Sequence, residues 1–103
     1  MLYVETRPSS PEQAAQYHEW YSGTHLREIV ALDGFVAARR FAPLDVDGSF
    51  IAIYEIDADD IAAVQVRLAE VVASGRLSTP IGVELDPPPV VRFYRQIAEF
   101  ADG

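Results

Sequence analysis

The segment Phe50–Ile56 is apolar on both of its faces, and this restricts the possible folds more than any other feature of the chain. In an extended conformation successive side chains alternate, so Ile51 and Ile53 project to one side of a sheet. The other side receives the side chains of Phe50, Ala52, Tyr54 and Ile56. An antiparallel sheet with one face in water alternates apolar and polar residues instead. The segment therefore predicts a sheet that is covered on both faces.

Three further segments have the pattern of strands. Residues 2–6 form a short apolar run near the start of the chain, and residues 35–44 form an extended run before residues 50–56. Between the last two runs lies Asp47-Gly48, a dipeptide that is typical of hairpins. Residues 90–98 form the last strand-like run. The pattern predicts that residues 35–44 pair with residues 50–56 as a hairpin.

The first helix is predicted to begin after Ser10. Ser10 is a favourable N-cap, Pro11 has the φ that a first helical position needs, and Gln13 can complete a capping box. Gly23 is expected to end this helix, because glycine is the preferred residue just past a helix C-terminus. A second short helical turn, capped at its first residue, is expected over residues 24–31.

A second long helix is predicted from about Asp60 to Ser74, with Asp57 or Asp59 as its N-cap. Its apolar residues recur at helical spacing. They are Ile61, Val64, Leu68, Val71 and Val72. Gly75 supplies the stop signal. The following segment, residues 76–89, is irregular and ends in three prolines, which cannot join a central strand.

Together these elements predict the order β-α-β-β-α-β, an α+β, ferredoxin-like fold with an antiparallel four-stranded sheet. Residues 1–103 are expected to form a single domain. Two helices cover only one face of such a sheet, so its second apolar face needs another cover. A second copy of the chain is the economical cover, and we therefore expect a homodimer. A sheet with an aromatic open face is the alternative.

Composition argues against several classes of function. The chain contains neither cysteine nor lysine, which excludes disulfides, thiolate metal sites and Schiff-base chemistry. Its net charge of −8 opposes nucleic-acid binding. No run approaches the about 18 apolar residues of a membrane span and no secretory signal is recognisable, so we expect no membrane partner and a cytoplasmic location. Phosphate-binding loops, Rossmann glycines, nucleophile elbows and HExxH zinc motifs are absent.

The candidates for chemistry are the two histidines, His18 and His25. They lie seven positions apart and share a helix face only if the helix continues through Gly23. No third ligand converges with them, so no metal site is predicted and no cofactor is expected. His25 follows Tyr21 by four residues and Trp20 by five. An imidazole beside aromatic rings suits general acid–base catalysis near neutral pH.

Arg39 and Arg40 are expected to point to opposite faces of their strand, so only one of them can enter the interior. The sequence leaves open which of the two it is. An inward arginine requires a partner such as Glu55, or an anionic ligand.

Two stretches give the chain a family resemblance, a "WY…HL.E" helix and a "GF..ARRF" turn into a strand. Their residues are Trp20-Tyr21, His25-Leu26 and Glu28, followed by Gly34-Phe35 and Ala38-Arg39-Arg40-Phe41. In these two motifs the chain resembles the dimeric α/β-barrel superfamily. Within that superfamily it resembles the small proteins similar to the ethyl tert-butyl ether degradation (EthD) family. Asp33 stands where that family usually has proline, a change that affects the turn rather than the chemistry.

The resemblance implies a homodimer whose two sheets face each other in a barrel with the helices outside. It also implies a pocket between the helices and the sheet of each subunit. Relatives include cofactor-free monooxygenases, polyketide cyclases, muconolactone isomerases, haem-degrading monooxygenases and ligand-sensing domains. By resemblance His25 occupies the place of a family histidine that is a proposed acid or base in several members. One architecture hosts many functions, so the resemblance alone does not select among them.

Two functions are therefore expected as alternatives. In the first, the protein is a cofactor-free enzyme, a cyclase, isomerase or monooxygenase, acting on a small hydrophobic carbonyl or phenolic compound. His25 would transfer the proton, and Tyr21 would orient it or hold an enolate oxygen. The expected substrate-binding residues are Trp20, Arg40, Phe41, Tyr54 and Phe93. In the second, the protein binds such a ligand without reaction, as a carrier, sensor or accessory protein; haem binding through His25 is a third, lesser alternative.

Overall fold

The computed structural model describes residues 1–102, and its four strands form one open antiparallel sheet. The strands are β1 (Leu2–Thr6), β2 (Phe35–Phe41), β3 (Phe50–Ile56) and β4 (Val90–Phe93). They lie in the order β2-β3-β1-β4, so β1 and β3 are central. The fold class is therefore α+β, and this strand order is compatible with the expected ferredoxin-like connectivity.

Strand pairing confirms the two-faced character of β3. Leu2 on β1 lies opposite Tyr54, and both are buried under the helices. Ile51 and Ile53 project from the opposite face and are only half-buried. β2 and β3 pair antiparallel as predicted, although the connection between them, residues 42–49, is longer than a two-residue turn.

The first helical segment runs without interruption from residue 14 to residue 30. It comprises α1 (Ala14–Trp20), a π-helical turn (Tyr21–His25) and α2 (Leu26–Val30). The prediction that Gly23 ends the helix was wrong. Gly23 keeps a right-handed conformation inside the π turn, so the capped second turn predicted from Thr24 does not form.

The N-terminal cap of this segment is confirmed. A short 3-10 turn, Pro11–Gln13, precedes α1, and the Ser10 hydroxyl accepts a hydrogen bond of 3.2 Å from the Gln13 amide. This bond satisfies one of the amides that a helix start leaves without a partner.

The second long helix, α3 (Ile61–Ser74), agrees with its predicted extent, but its N-cap is Asp60 rather than Asp57 or Asp59. The Asp60 carboxylate accepts from the Ala63 amide at 3.2 Å. Gly75 ends the helix as predicted, with a φ of 74° that other residues adopt only at a cost.

The last strand is shorter than the predicted 90–98, because β4 ends at Phe93. Its only neighbour in the sheet is β1, and the pairing of Phe93 with Leu2 is the last one that β1 provides. Two further hydrogen bonds join Met1 and Tyr94: the Tyr94 amide donates to the Met1 carbonyl at 2.8 Å, and the Met1 ammonium donates to the Tyr94 carbonyl at 2.5 Å. Beyond that point the chain has no strand to pair with, so an apolar sequence alone does not extend the sheet.

The hydrophobic core lies between the helices and one face of the sheet. Tyr17 and Tyr54 are its largest enclosed side chains, with 0% and 1% of their surface exposed. Trp20, Tyr21 and Ile29 join them from the first helical segment. Three aromatic residues of this core, Trp20, Tyr21 and Tyr54, also line a cavity.

Candidate functional site

A cavity of about 200 Å³ lies between the helix-covered face of the sheet, the first helical segment and the irregular chain after α3. Trp20, Tyr21 and His25 contribute to its wall from the helices, and Thr6 and Tyr54 contribute from the sheet. Most of the remaining wall is aliphatic or proline, and no charged side chain of the described residues lines it. A cavity of this size and polarity suits a small apolar ligand with one or two polar groups.

The structure brings four of the predicted site residues together in this wall: Trp20, Tyr21, His25 and Tyr54. It places the other three elsewhere. Phe41 pairs with Ile51, and both side chains project from the face of the sheet that the helices do not cover. Phe41 is 43% exposed. Phe93 packs against the core beside Leu2. Arg40, on β2, contacts side chains of the first helical segment that do not line the cavity, such as His18.

The π turn determines how the rings around His25 are arranged. The imidazole of His25 stacks on the Trp20 indole, with ring centroids 4.7 Å apart and planes 23° from parallel. Its other neighbour, Tyr21, presents a ring edge at 5.0 Å and 78°. π turns are rare and often occur at functional sites, and here the turn sets an imidazole against two aromatic rings.

His25 is neutral near pH 7. Burial disfavours the charged imidazole and lowers the pKa of His25, although the Glu28 carboxylate partly opposes this shift. Nδ1 of His25 is 3.7 Å from Oε1 of Glu28, which is longer than a hydrogen bond. A neutral imidazole can accept a proton, so His25 is suited to act as a base.

Glu28 is fixed by Ser78, which lies 50 positions further along the chain. The Ser78 amide donates to Oε2 at 2.8 Å and its hydroxyl donates to Oε1 at 2.7 Å. Burial raises the pKa of the Glu28 carboxyl, but the hydrogen bonds from Ser78 and the neighbouring His25 outweigh this effect and hold it below its usual value. The indole N–H of Trp20 donates to the Ser78 hydroxyl at 2.9 Å and completes the network.

Sequence reasoning missed Ser78 and gave Glu28 no chemical role. Ser78 belongs to the irregular segment 76–89, whose sequence carries no motif that would bring it to the helix. Glu28 follows His25 by three residues, a spacing that places both on one side of a helix and could have indicated the pair.

Tyr21 and Tyr54 form a buried pair of phenols in the cavity wall. The Tyr54 hydroxyl donates to that of Tyr21 at 3.4 Å. Burial raises the pKa of both groups, so both stay protonated at neutral pH. With Tyr54 as the donor in this contact, the Tyr21 hydroxyl retains its own proton as a potential hydrogen-bond donor.

Arg40 is the inward arginine, and its neighbours are neutral. Its guanidinium donates to Nδ1 of His18 at 3.1 Å, to the Ser22 hydroxyl at 3.0 Å and to the Tyr17 hydroxyl at 3.1 Å. It also lies over the ring of Tyr21, 4.5 Å from the centroid. These contacts hold Arg40 on the side of the aromatic cluster away from the cavity.

The sequence suggested Glu55 as a partner for the inward arginine, but the outward Arg39 holds this carboxylate instead. It forms an ion pair of 2.8 Å with Glu55 on the other face of the sheet. His18, beside Arg40, has a lowered pKa because of burial and the adjacent guanidinium. His18 and His25 therefore belong to different clusters.

Residues 1–102 contain no group of three or more His, Cys, Asp or Glu side chains arranged to hold a metal ion. Within the same range, every helix is too short or too polar to cross a bilayer.

Comparison with models of known protein families, with curated proteins and with solved structures finds no match to this chain.

Proposed function

We propose that the chain is a small cofactor-free enzyme that transfers a proton at the α-carbon of a small hydrophobic carbonyl or phenolic compound. The observation that carries this proposal is a neutral imidazole, His25, in the wall of an uncharged aromatic cavity that Tyr21 also lines, with the two ring centroids 5.0 Å apart. A base and a hydrogen-bond donor at one apolar cavity are what enolisation requires.

In the proposed reaction His25 removes a proton from the carbon next to the carbonyl. The electrons of the broken C–H bond form the enolate, whose oxygen accepts the hydrogen bond of Tyr21. In an unsaturated carbonyl compound the conjugated enolate then takes the proton back from His25 at another carbon, an isomerisation. Alternatively its α-carbon attacks a second carbonyl of the same molecule, and the oxygen of that carbonyl takes the proton from His25, a cyclisation. Both outcomes return His25 to its neutral form and need no oxidant.

This proposal agrees with the resemblance of the chain to EthD-like proteins of the dimeric α/β-barrel superfamily. In that architecture two ferredoxin-like sheets face each other, and we propose that this chain pairs with a second copy through the face that carries Ile51 and Ile53. The proposal is supported by the apolar side chains of Ile51, Ile53 and Phe41 on that face and by the Arg39–Glu55 ion pair, which neutralises two of its charges; the other two, Glu5 and Arg92, are also of opposite sign.

A second candidate function is binding without reaction. The observation that favours it is that, among the described residues, the only side-chain oxygens of the cavity wall are the hydroxyls of Thr6, Tyr21 and Tyr54, and burial keeps both phenols protonated at neutral pH. Such a wall recognises a phenol or ketone by hydrogen bonds without having to change it. A carrier, sensor or accessory protein would use the same residues.

Deuterium exchange at the α-carbon of a ketone separates the two functions. We would incubate 2-indanone with the protein in D₂O and follow the loss of the α-proton signal by NMR. The enzyme is expected to accelerate this exchange, and His25→Ala to lose about 10²- to 10⁴-fold of the acceleration. His18→Ala is the matched control, since His18 lies outside the cavity, and should retain it.

Binding of 2-indanone without acceleration would favour the carrier function. Equal acceleration by wild type and His25→Ala would contradict the assignment of His25. Absence of both binding and exchange would contradict both candidate functions for compounds of this class.

A further inference from the structure

The hydrogen bonds around Glu28 have a fixed direction. An indole N–H can only donate, so the Ser78 hydroxyl must accept from Trp20. The single proton of that hydroxyl is then available for Glu28 Oε1, where it is found at 2.7 Å. The Ser78 amide holds the other carboxylate oxygen. Glu28 is thereby ionised and held as an acceptor at both of its oxygens.

The atom that faces this acceptor is Nδ1 of His25. Within residues 1–102 it is the only buried side-chain nitrogen or oxygen that lacks a hydrogen-bond partner. Glu28 Oε1 lies 3.7 Å from it, and a shift of under about 1 Å closes this gap to a hydrogen bond. A buried polar atom without a partner is costly, so such a shift is favoured.

We propose that Glu28 is a positioning residue that selects the tautomer of His25, with the proton on Nδ1 and the lone pair on Nε2. Glu28 has no proton to give, so a neutral imidazole can satisfy the contact only by placing its own proton on Nδ1. This inference deepens the proposed function and rests on it for its chemical meaning, because it names Nε2 as the atom that would take the substrate proton.

The other ring nitrogen is free for that role. Nε2 of His25 is not among the buried atoms without a partner, and it makes no hydrogen bond in the described part of the chain. It therefore opens to the cavity or to solvent. The indole of Trp20 stacks on the imidazole and also donates to the hydroxyl of Ser78. Ring orientation and tautomer are thus controlled by one connected network.

Ser78 has a second consequence for the site. It belongs to segment 76–89, which contributes Leu77, Pro80 and Val83 to the cavity wall. Its two hydrogen bonds to Glu28 attach this wall to the helix that carries His25. Loss of the Ser78 hydroxyl should therefore loosen the orientation of Glu28 while leaving its charge in place.

The test is ¹⁵N NMR of the His25 imidazole, which reports the tautomer and the pKa without any substrate. In the wild type we expect Nδ1 to resonate as a protonated nitrogen and Nε2 as an unprotonated one at high pH. Glu28→Gln should abolish this preference, because a side-chain amide can donate as well as accept, and should lower the pKa of His25 further. Glu19→Gln, which removes an exposed carboxylate from the same helical segment, should change neither value.

Ser78→Ala keeps the proposal testable if Glu28→Gln does not fold. It should weaken the Nδ1-protonated preference without removing it. A wild-type imidazole protonated on Nε2, or an unchanged His25 spectrum in Glu28→Gln, would overturn the proposal.

Deuterium exchange at the α-carbon of 2-indanone distinguishes a failure of this inference from a failure of the proposed function. If both hold, Glu28→Gln loses activity, by up to about 10⁴-fold, the loss that a wrong histidine tautomer causes in a Ser-His-Asp triad. If the wild type shows the expected tautomer but no exchange, the proposed function fails while the positioning role of Glu28 stands.

Discussion

Trp20 and His25 stack face to face although five positions separate them along the helix. In an α-helix residues five apart lie about 140° apart around the axis, so their side chains diverge. The π turn Tyr21–His25 inserts extra chain at this point and rotates His25 back over Trp20. The irregular turn is therefore the local cause of the stacked pair in the cavity wall.

The π turn makes Gly23 a position where a side chain is tolerated. Its φ is not positive, and a Cβ atom at this position would meet nothing within 4 Å. Gly23→Ala should therefore raise the free energy of unfolding by about 0.5–1 kcal/mol, because alanine loses less conformational entropy on folding. Urea denaturation measures the change.

Gly75→Ala is the matched control for this substitution. Gly75 also has open space around it, but its φ is 74°, which alanine adopts only with strain. We expect destabilisation by about 1 kcal/mol. Destabilisation by Gly23→Ala of similar size would mean that the helix ends at Gly23 in solution.

Local sequence rules predicted the elements that local chemistry determines. The Ser10 cap, the Gly75 stop and the two faces of β3 follow from side chains acting on their own segment. The π turn was missed because glycine is a frequent helix stop, and only the packing of Trp20 and His25 against the sheet favours continuation. A sequence gives no such packing information directly.

The candidate site likewise contains residues that the sequence predicted and residues that it did not. Closeness along the chain was enough to group Trp20, Tyr21 and His25, although a helix end was predicted between them at Gly23. The contact of Glu28 with Ser78 was not predictable, because it joins positions 50 residues apart through an irregular segment. Phe41 was assigned to the pocket on its aromatic character, but strand alternation places it on the other face.

The two adjacent arginines should differ in their contribution to stability. Arg40 is half-buried and donates three hydrogen bonds to neutral groups, so Arg40→Ala should cost about 1.5–3 kcal/mol. Arg39 forms an exposed ion pair with Glu55, and Arg39→Ala should cost at most about 1 kcal/mol. Urea denaturation of both variants makes the comparison, and equal costs would contradict the inward placement of Arg40.

Acidification should destabilise the fold through the two histidines. Burial lowers the pKa of His25 below its ordinary 6.5, and the pKa of His18 is lowered as well, so the unfolded chain binds protons more tightly than the folded one. The contribution of the two neutral histidines to the free energy of unfolding is complete above about pH 6.5. It decreases as the pH falls toward their lower pKa values in the folded state. Each histidine can add a slope of at most about 1.4 kcal/mol per pH unit.

The carboxyl of Glu28 does not contribute to the change in stability over the pH range in which the histidines take up protons. Its carboxyl pKa is lowered from 4.5, so its contribution is complete above that value and is lost only in stronger acid. Urea denaturation between about pH 7.5 and 5.5 therefore reports the histidines. His25→Gln should flatten the dependence, and a wild-type stability independent of pH in this range would show that neither histidine has a lowered pKa.

The proposed dimer makes the sheet face of Ile53 sensitive to charge. In an interface between two identical copies each residue occurs twice, so Ile53→Arg buries two charges that have no partner. An uncompensated buried charge costs about 3–5 kcal/mol, hence a loss of more than about 100-fold in dimer affinity. Light scattering should find the wild type near twice 11.4 kDa and Ile53→Arg near 11.4 kDa.

Val66→Arg is the control for that experiment, since Val66 is a 58% exposed apolar residue on α3, outside the sheet face. It adds the same charge to the chain and should leave the dimer intact. Circular dichroism of both variants would establish that each is folded. A monomeric wild type would contradict the dimer and would leave the half-buried Ile51 and Ile53 as an open apolar face, whereas dissociation of both variants would place the interface on the helices.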